Sequence, residues 1–393
     1  MPEAELLSES REEQERHGYF HTLHEILQQP STWLDTAERM LGQASELSRR
    51  LEGIRLLVLT GSGSSEYAGA CVGLVLQDEL GVATQTVAGG ALLIHGTRAI
   101  PPDRPGLMIS LARSGDSPES VGAVSLMLEV EPRIGHLVIT CNRHGRLATT
   151  YRDDPRVQVI ALDERTNDRS LVMTSSFTNM VLGARALGLL HAPDRHRAIC
   201  RDLSGRAERL LASSFPVLER IAGQDFGRVV FLGSGSRHGA ARESALKMLE
   251  MTAGRVIAIS ETYLGLRHGP MSMIHADTLV VCFLSSDPQT RAYESDLIRE
   301  LSRKQLGLGK LIFGERIPPD LVGDRDVTVE CGGSEMLADE DWPVLDVMVG
   351  QILAFFRCRK EGLQPDSPSS DGVINRVVQN FALHRVEKEP PSD

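Results

Sequence analysis

The stretch LVLTGSGSSEYAGA, residues 57–70, returns with changes as VVFLGSGSRHGAAR, residues 229–242. Each copy starts with an apolar run, turns on Gly-Ser-Gly-Ser and continues in a helix-like pattern. A strand, a glycine turn and a helix make the basic unit of an α/β domain. A second copy about 170 residues downstream therefore predicts two tandem versions of one α/β domain.

The surrounding pattern agrees. In the first copy, strand-like runs read at 55–60, 106–112, 136–141 and 157–162. In the second they read at 228–233, 255–260, 278–285, 310–314 and 326–330. Helical patterns separate them. Short apolar strands alternating with helices predict parallel sheets covered on both faces, a three-layer αβα arrangement of the flavodoxin type. Residues 1–45 read as a helical segment ahead of the first domain, with Ser31 as a helix cap. The polar stretch 191–206 marks the boundary between a first domain, 46–205, and a second, 206–380. Residues 381–393 read as a disordered tail.

Composition narrows the partners. The 393 residues carry a formal net charge of −11. An acidic surface disfavours nucleic acid and anionic membranes. It does not disfavour a small phosphorylated ligand, because a local cluster of amides and hydroxyls overrules the global sign. No apolar run approaches the roughly 18 residues of a membrane span, and the acidic start MPEAELLSESREEQERHG has no signal-peptide core. Cys71, Cys141, Cys200, Cys282, Cys331 and Cys358 stand singly, without a C-x-x-C pair. Buried free thiols in a reducing cytoplasm are the expectation.

Glycine turns between a strand and a helix aim backbone amides and a helix N-terminus at an anion. Neither turn completes a dinucleotide fingerprint, since Glu66 and His238 stand where the third glycine belongs, and no GK[ST] follows. The stretch SLARSGDSPESV, residues 110–121, adds a second turn in the first copy. There Arg113, Ser114, Gly115, Asp116 and Ser117 lead into Pro118. Ser64, Ser65, Arg113, Ser114 and Ser117 form a candidate phosphate-binding cup at two adjacent strand ends. The plainer alternative is Ser117 as an ordinary N-cap. The second copy has Ser285-Ser286-Asp287-Pro288 instead and lacks the S-G-x-S core. The first copy is therefore the expected phosphate binder.

The second copy offers acid–base groups. In RESALKMLEM, Glu243, Lys247 and Glu250 are spaced by four and three and share one helix face. Such spacing makes either a surface ion-pair ladder or a partly buried base beside a lysine. Downstream, His268-Gly269-Pro270 predicts an irregular loop. His17, His21 and His24 would share a helix face, but no carboxylate lies between them at zincin spacing, so a metal site is disfavoured.

The order GSGSS, S-G-x-S, K-x-x-E and H-G-P resembles the sugar isomerase (SIS) family of phosphosugar-binding proteins, in two copies over about 45–380. It is similar to the isomerase half of glucosamine-6-phosphate synthase. EILQQPSTW, ARSGDSPES, TCNRHG and RHGPM are closer to its galactosamine-6-phosphate deaminase/isomerase branch, also called tagatose-6-phosphate ketose/aldose isomerase. The resemblance implies that Ser65, Ser114 and Ser117 hold the sugar phosphate. It implies that Glu250 moves a proton between C1 and C2, with Lys247 and Glu243 orienting it. His268 would open the ring, reaching in from a second subunit of a homodimer or dimer-based assembly, and Ser175 would touch the sugar. No metal or cofactor is implied. Two departures stand out. Ala112 replaces a serine that begins the phosphate loop in many relatives. Val378 or Gln379 stands near the place of the synthase's C-terminal-loop lysine, with Arg376 the nearby cation.

The implied reaction converts D-galactosamine 6-phosphate to tagatose 6-phosphate and ammonia. Within enzymes the alternatives are a tagatose-6-phosphate aldose/ketose isomerase and a glucosamine-6-phosphate deaminase. A non-catalytic phosphosugar-binding regulatory protein is the alternative of another class, against which the intact Lys247, Glu250 and His268 set speaks.

Overall fold

The computed structural model describes residues 6–102, 104–333, 335–369, 371–378 and 382–384. Two five-stranded parallel sheets carry the two repeats. The first contains β1 (Leu56–Gly61), β2 (Ala83–Ala88), β3 (Gly106–Ala112), β4 (Ile134–Thr140) and β5 (Val157–Ala161) in the order β2-β1-β3-β4-β5. The second contains β6 (Arg228–Leu232), β7 (Ile257–Glu261), β8 (Thr278–Phe283), β9 (Gly309–Gly314) and β10 (Val327–Glu330). Its order, β10-β9-β8-β6-β7, is the same topology. In each sheet the chain leaves the first strand toward one edge and returns to its other side. The crevice between β1 and β3, and that between β6 and β8, is a topological switch point where α/β sheets bind ligands.

Alternation along the strands builds three cores. Leu57, Leu59, Leu107 and Ile109 face the same central core as Val229, Phe231, Val281 and Phe283 of the second sheet. Leu56, Val58, Met108 and Val138 face outward under helices Gly89–His95 and Pro118–Val130. Val230, Leu232, Val280 and Ile312 form the corresponding outer core of the second repeat. Helix Pro343–Lys360 is buried along nearly its whole length in the central layer, so apolar residues occupy most of its circumference, with Asp346, Gln351 and Arg357 the buried polar exceptions. The N-terminal helices close this layer from one side, where Trp33 is fully buried and its Nε1 donates to Thr178 Oγ1 at 3.0 Å.

Several expectations need correction. Strand β2, ATQTVA, was not predicted. It is a half-exposed edge strand, and polar residues there leave no apolar signal. Residues 193–206 begin one long helix, Pro193–Ala222, that runs without a break past the expected boundary. Ser31 does not cap its helix, which starts at Gln29; its hydroxyl donates back to Gln28 O at 2.9 Å. His17 does not share a helix with His21 and His24, because Gly18 ends helix Arg11–His17 in a left-handed turn. Most of the tail 381–393 lies outside the described residues. Among the described residues, no helix is long and apolar enough to cross a membrane.

Candidate active site

The two glycine turns start helices Ser64–Leu80 and Ser236–Met251, with Gly63 and Gly235 at φ 57° and 55°. These values favour glycine and explain why both turns keep it. The two helices lie against each other. Gly239 permits the contact, since a Cβ there would fall 2.7 Å from Cys71 N and 2.8 Å from its Sγ. Arg242 Nη2 pairs with Glu66 at 3.1 Å, and its guanidinium lies 4.1 Å over the Tyr67 ring. Lys247 Nζ donates to Ser64 Oγ at 3.0 Å. As one helix advances from 239 to 247, its partner retreats from 71 to 64. The helices are antiparallel, and the last turns of the second repeat's helix reach the anion cup of the first.

Glu243, Lys247 and Glu250 are no surface ladder. The side chains of Glu243 and Lys247 are 0% and 1% exposed, while Glu250 is 24% exposed. Lys247 Nζ lies 2.5 Å from Glu250 Oε2 and 3.3 Å from Glu243 Oε1. Burial alone would depress Lys247, but the two carboxylates outweigh it and hold the ammonium above its ordinary range. Burial pushes Glu243 up to about 7, against the pull of Lys247. The result is an inner carboxylate, a fixed ammonium and an outer carboxylate open to solvent. Such an outer carboxylate can take and return a proton while the ammonium fixes its position.

At the cup itself, Ser65 and Ser114 are buried and Ser117 is half-buried. Strands β1 and β3 are hydrogen-bonded neighbours, with Thr60 opposite Ser110, so the two turns open side by side. Neither helix start, at Ser64 or at Pro118, is capped by a side chain. Ser117 occupies the N-cap position without capping; its hydroxyl donates to Glu119 at 2.5 Å. Two uncapped helix N-termini and several hydroxyls converge here, which is what a phosphate dianion requires.

The matching crevice of the second repeat is filled by the chain's own carboxylates. Glu294 accepts from Ser285 N at 2.7 Å. Asp339 accepts from Ser286 N at 2.7 Å, from Ser286 Oγ at 2.8 Å and from Ser285 Oγ. Asp287 caps the next helix by accepting from Thr290 N at 2.8 Å. Arg237 is buried in a bidentate pair with Asp346 at 2.9 and 2.6 Å. The amides and hydroxyls of Ser285 and Ser286 are thus already used. Nothing in the sequence near Ser285 signals Asp339, which is 54 positions away.

Three candidates lie differently from the simplest reading. Arg113 is buried and donates to main-chain carbonyls, not into the cup. Ser175 is fully buried, and its hydroxyl accepts from Gln28 Nε2 at 3.2 Å. Arg376 donates to Asp168 O at 2.8 Å and Asn167 Oδ1 at 2.7 Å; Gln379 lies outside the described residues. His268 is exposed at the end of a short 3₁₀ turn, Gly265–His268, with Pro270–Met273 forming the next. Its neighbour Arg267 is tied to Glu300 at 2.7 Å. Among the described residues, no hydrogen bond or ion pair joins His268 to Glu250, Lys247 or the cup.

No protein-family model matches the chain. Individual proteins do. It is 36% identical to the D-galactosamine-6-phosphate deaminase AgaS of Shewanella sp. (strain ANA-3), over 95% of this chain and 94% of that protein. It is 34% identical to the D-galactosamine-6-phosphate deaminase AgaS of Escherichia coli O157:H7, over 92% of this chain and 95% of that protein. The crystal structure of tagatose-6-phosphate ketose/aldose isomerase from Escherichia coli superposes with a TM-score of 0.85 at 32% identity, covering 93% of this chain and 96% of that one.

Proposed function

The chain belongs to the D-galactosamine-6-phosphate deaminase family of tandem SIS-domain enzymes, and on that premise we propose that it converts D-galactosamine 6-phosphate to tagatose 6-phosphate and ammonia. The observation that carries this reading is the Glu243–Lys247–Glu250 row ending at Ser64, on the rim of an uncapped anion cup. Ser65, Ser114, Ser117 and the two helix starts hold the phosphate. With the ring open, the C1 aldehyde acidifies the C2 proton. Glu250 removes that proton, O1 takes up the proton that the substrate's C2 ammonium sheds to give an enaminol, and Glu250 returns its proton to C1. C2 becomes an iminium, water adds to it, and ammonia leaves to give the ketose. Lys247 and Glu243 keep Glu250 in place through the transfer. Positioned proton transfer contributes about 10²–10⁴-fold, and the phosphate grip supplies remote binding energy for orientation.

His268 is the ring-opening group in this reading, supplied by a second subunit. Its exposure supports that assignment. The protein is then a homodimer, or a larger assembly built from dimers, that acts in the cytoplasm. Six buried free cysteines among the described residues agree with a reducing compartment. The name of the superposed crystal structure favours one second reading, plain ketose/aldose isomerisation of tagatose 6-phosphate. Ammonia release separates the two. Galactosamine, glucosamine and N-acetylgalactosamine 6-phosphates are assayed alongside tagatose 6-phosphate. Ammonia from galactosamine 6-phosphate is the expected result. Isomerisation without ammonia supports the second reading, and a preference for glucosamine 6-phosphate reassigns the C4 epimer.

A further inference from the structure

We infer that Arg113 is a positioning residue: it fixes the phosphate-binding turn by tying it to loop 167–172 and to the carboxy-terminal segment, and does not itself hold the phosphate. The inference rests on the phosphate reading of the cup. Arg113 sits between Ala112, the last residue of β3, and Ser114. It is 7% exposed. Its Nη1 donates to the carbonyl oxygens of Ser170, Leu171 and Val172 at 3.2, 3.0 and 3.1 Å. Its Nη2 donates to Arg376 O at 2.7 Å. Swinging the guanidinium toward a phosphate would take a donor from these buried and part-buried carbonyls, of which, among the described residues, Val172 O alone keeps a second donor in Ser170 Oγ, a cost that opposes the movement.

Loop 167–172 is itself held from other parts of the chain. Glu25, on the N-terminal helix Phe20–Leu27, accepts from Arg169 N at 2.5 Å and Ser170 N at 3.3 Å. Arg376 grips Asn167 and Asp168 by its side chain. Leu171 N donates to Asp366 O at 3.1 Å. Within the loop, Asp168 Oδ2 accepts from Thr174 N and Ser176 N at the start of helix Ser175–Arg185, each at 2.8 Å. The loop is therefore a fixed anchor, and Arg113 carries its position to the adjacent Ser114. A turn fixed before the ligand arrives spares the ordering cost of binding.

The test uses the full-length Arg113→Ala, Arg113→Lys and Arg376→Gln variants. KM, kcat, inhibition by inorganic phosphate and ligand-free hydrogen exchange are measured for each. KM and the phosphate inhibition constant should rise about tenfold in Arg113→Ala, with kcat changed less than about threefold. Exchange in 167–172 and 371–378 should quicken without ligand. Arg376→Gln should move the same quantities in the same direction, and Arg113→Lys should restore part of the loss. Unchanged KM and phosphate inhibition overturn the inference. So does a raised KM with unchanged ligand-free exchange, which would make Arg113 a direct phosphate ligand. If Arg113→Ala does not fold, Arg113→Lys and Arg376→Gln decide by the same criteria. Failure of inorganic phosphate to compete in the unmodified protein would overturn the cup, whereas the exchange measurement scores the tie without any ligand.

Discussion

Lys247 Nζ lies 3.0 Å from Ser64 Oγ, so a lysine of the second repeat touches the helix start that opens the anion cup of the first. The same ammonium meets Glu250 at 2.5 Å. Glu250→Gln keeps the shape and a partner for Lys247 but cannot accept a proton. Its kcat should fall at least about a hundredfold, with inorganic phosphate binding as before. Turnover near that of the unmodified protein would remove Glu250 from the mechanism.

The two crevices should respond differently to substitution. Ser114→Ala and Ser117→Ala should each weaken substrate binding by about 1–3 kcal/mol, through loss of charge-assisted hydrogen bonds. Asp339→Ala, in the second crevice, should lower stability in urea by about 1–3 kcal/mol, as Ser286 N loses its acceptor and the Ser285 and Ser286 hydroxyls each lose one. It should leave KM unchanged. A crystal soaked in phosphate that shows the anion at Ser234–Ser236 would reverse the assignment.

Shared sites can be detected by mixing two inactive proteins, Glu250→Gln and His268→Ala, under conditions of subunit exchange. If the partner supplies His268, mixed dimers hold one site with both residues intact, and part of the activity returns. Confirmed exchange without recovered activity would place His268 in its own chain's site or outside the reaction.

Acid sensitivity should trace in part to His136. It is fully buried on β4, and burial pushes it from 6.5 down to about 4. The unfolded chain then binds the extra proton between those values and the folded chain does not. This contribution is complete above pH 6.5 and is lost as pH falls toward 4. His136→Leu should make the fall in stability across that window shallower, by up to about 3 kcal/mol. An unchanged slope in denaturant titrations from pH 7 to pH 4 would assign the acid limb elsewhere, for instance to His196, which burial also lowers to about 4.

Most of the sheet framework was legible because buried parallel strands are continuous apolar runs. Strand β2 was not, since an edge strand half in water writes no such run. The cup and the Glu243–Lys247–Glu250 row were legible because their residues are close in sequence, at turn or helix spacing. What escaped was long-range pairing. Glu294 and Asp339 meet Ser285 and Ser286 only through the fold. Arg113 read as a phosphate ligand because an arginine beside an anion turn is a natural donor. Its actual acceptors lie 57 to 59 and 263 positions away. Periodicity also could not say whether the row was buried; the close crossing at Gly239 decides that.

That crossing has an evolutionary consequence. A newly duplicated domain starts with two equivalent crevices, each served by the end of the other copy's helix. In helix Ser64–Leu80, counting from the glycine turn, Cys71, Val75 and Asp78 stand at the places of Glu243, Lys247 and Glu250. Loss of the lysine and the inner carboxylate from one helix silences only the crevice opposite, and leaves its own crevice served. The copies could therefore specialise in complementary directions from the first substitutions onward. On the reading of the cup and the row as one site, neither copy carries a complete site alone, and selection acts on the linked pair.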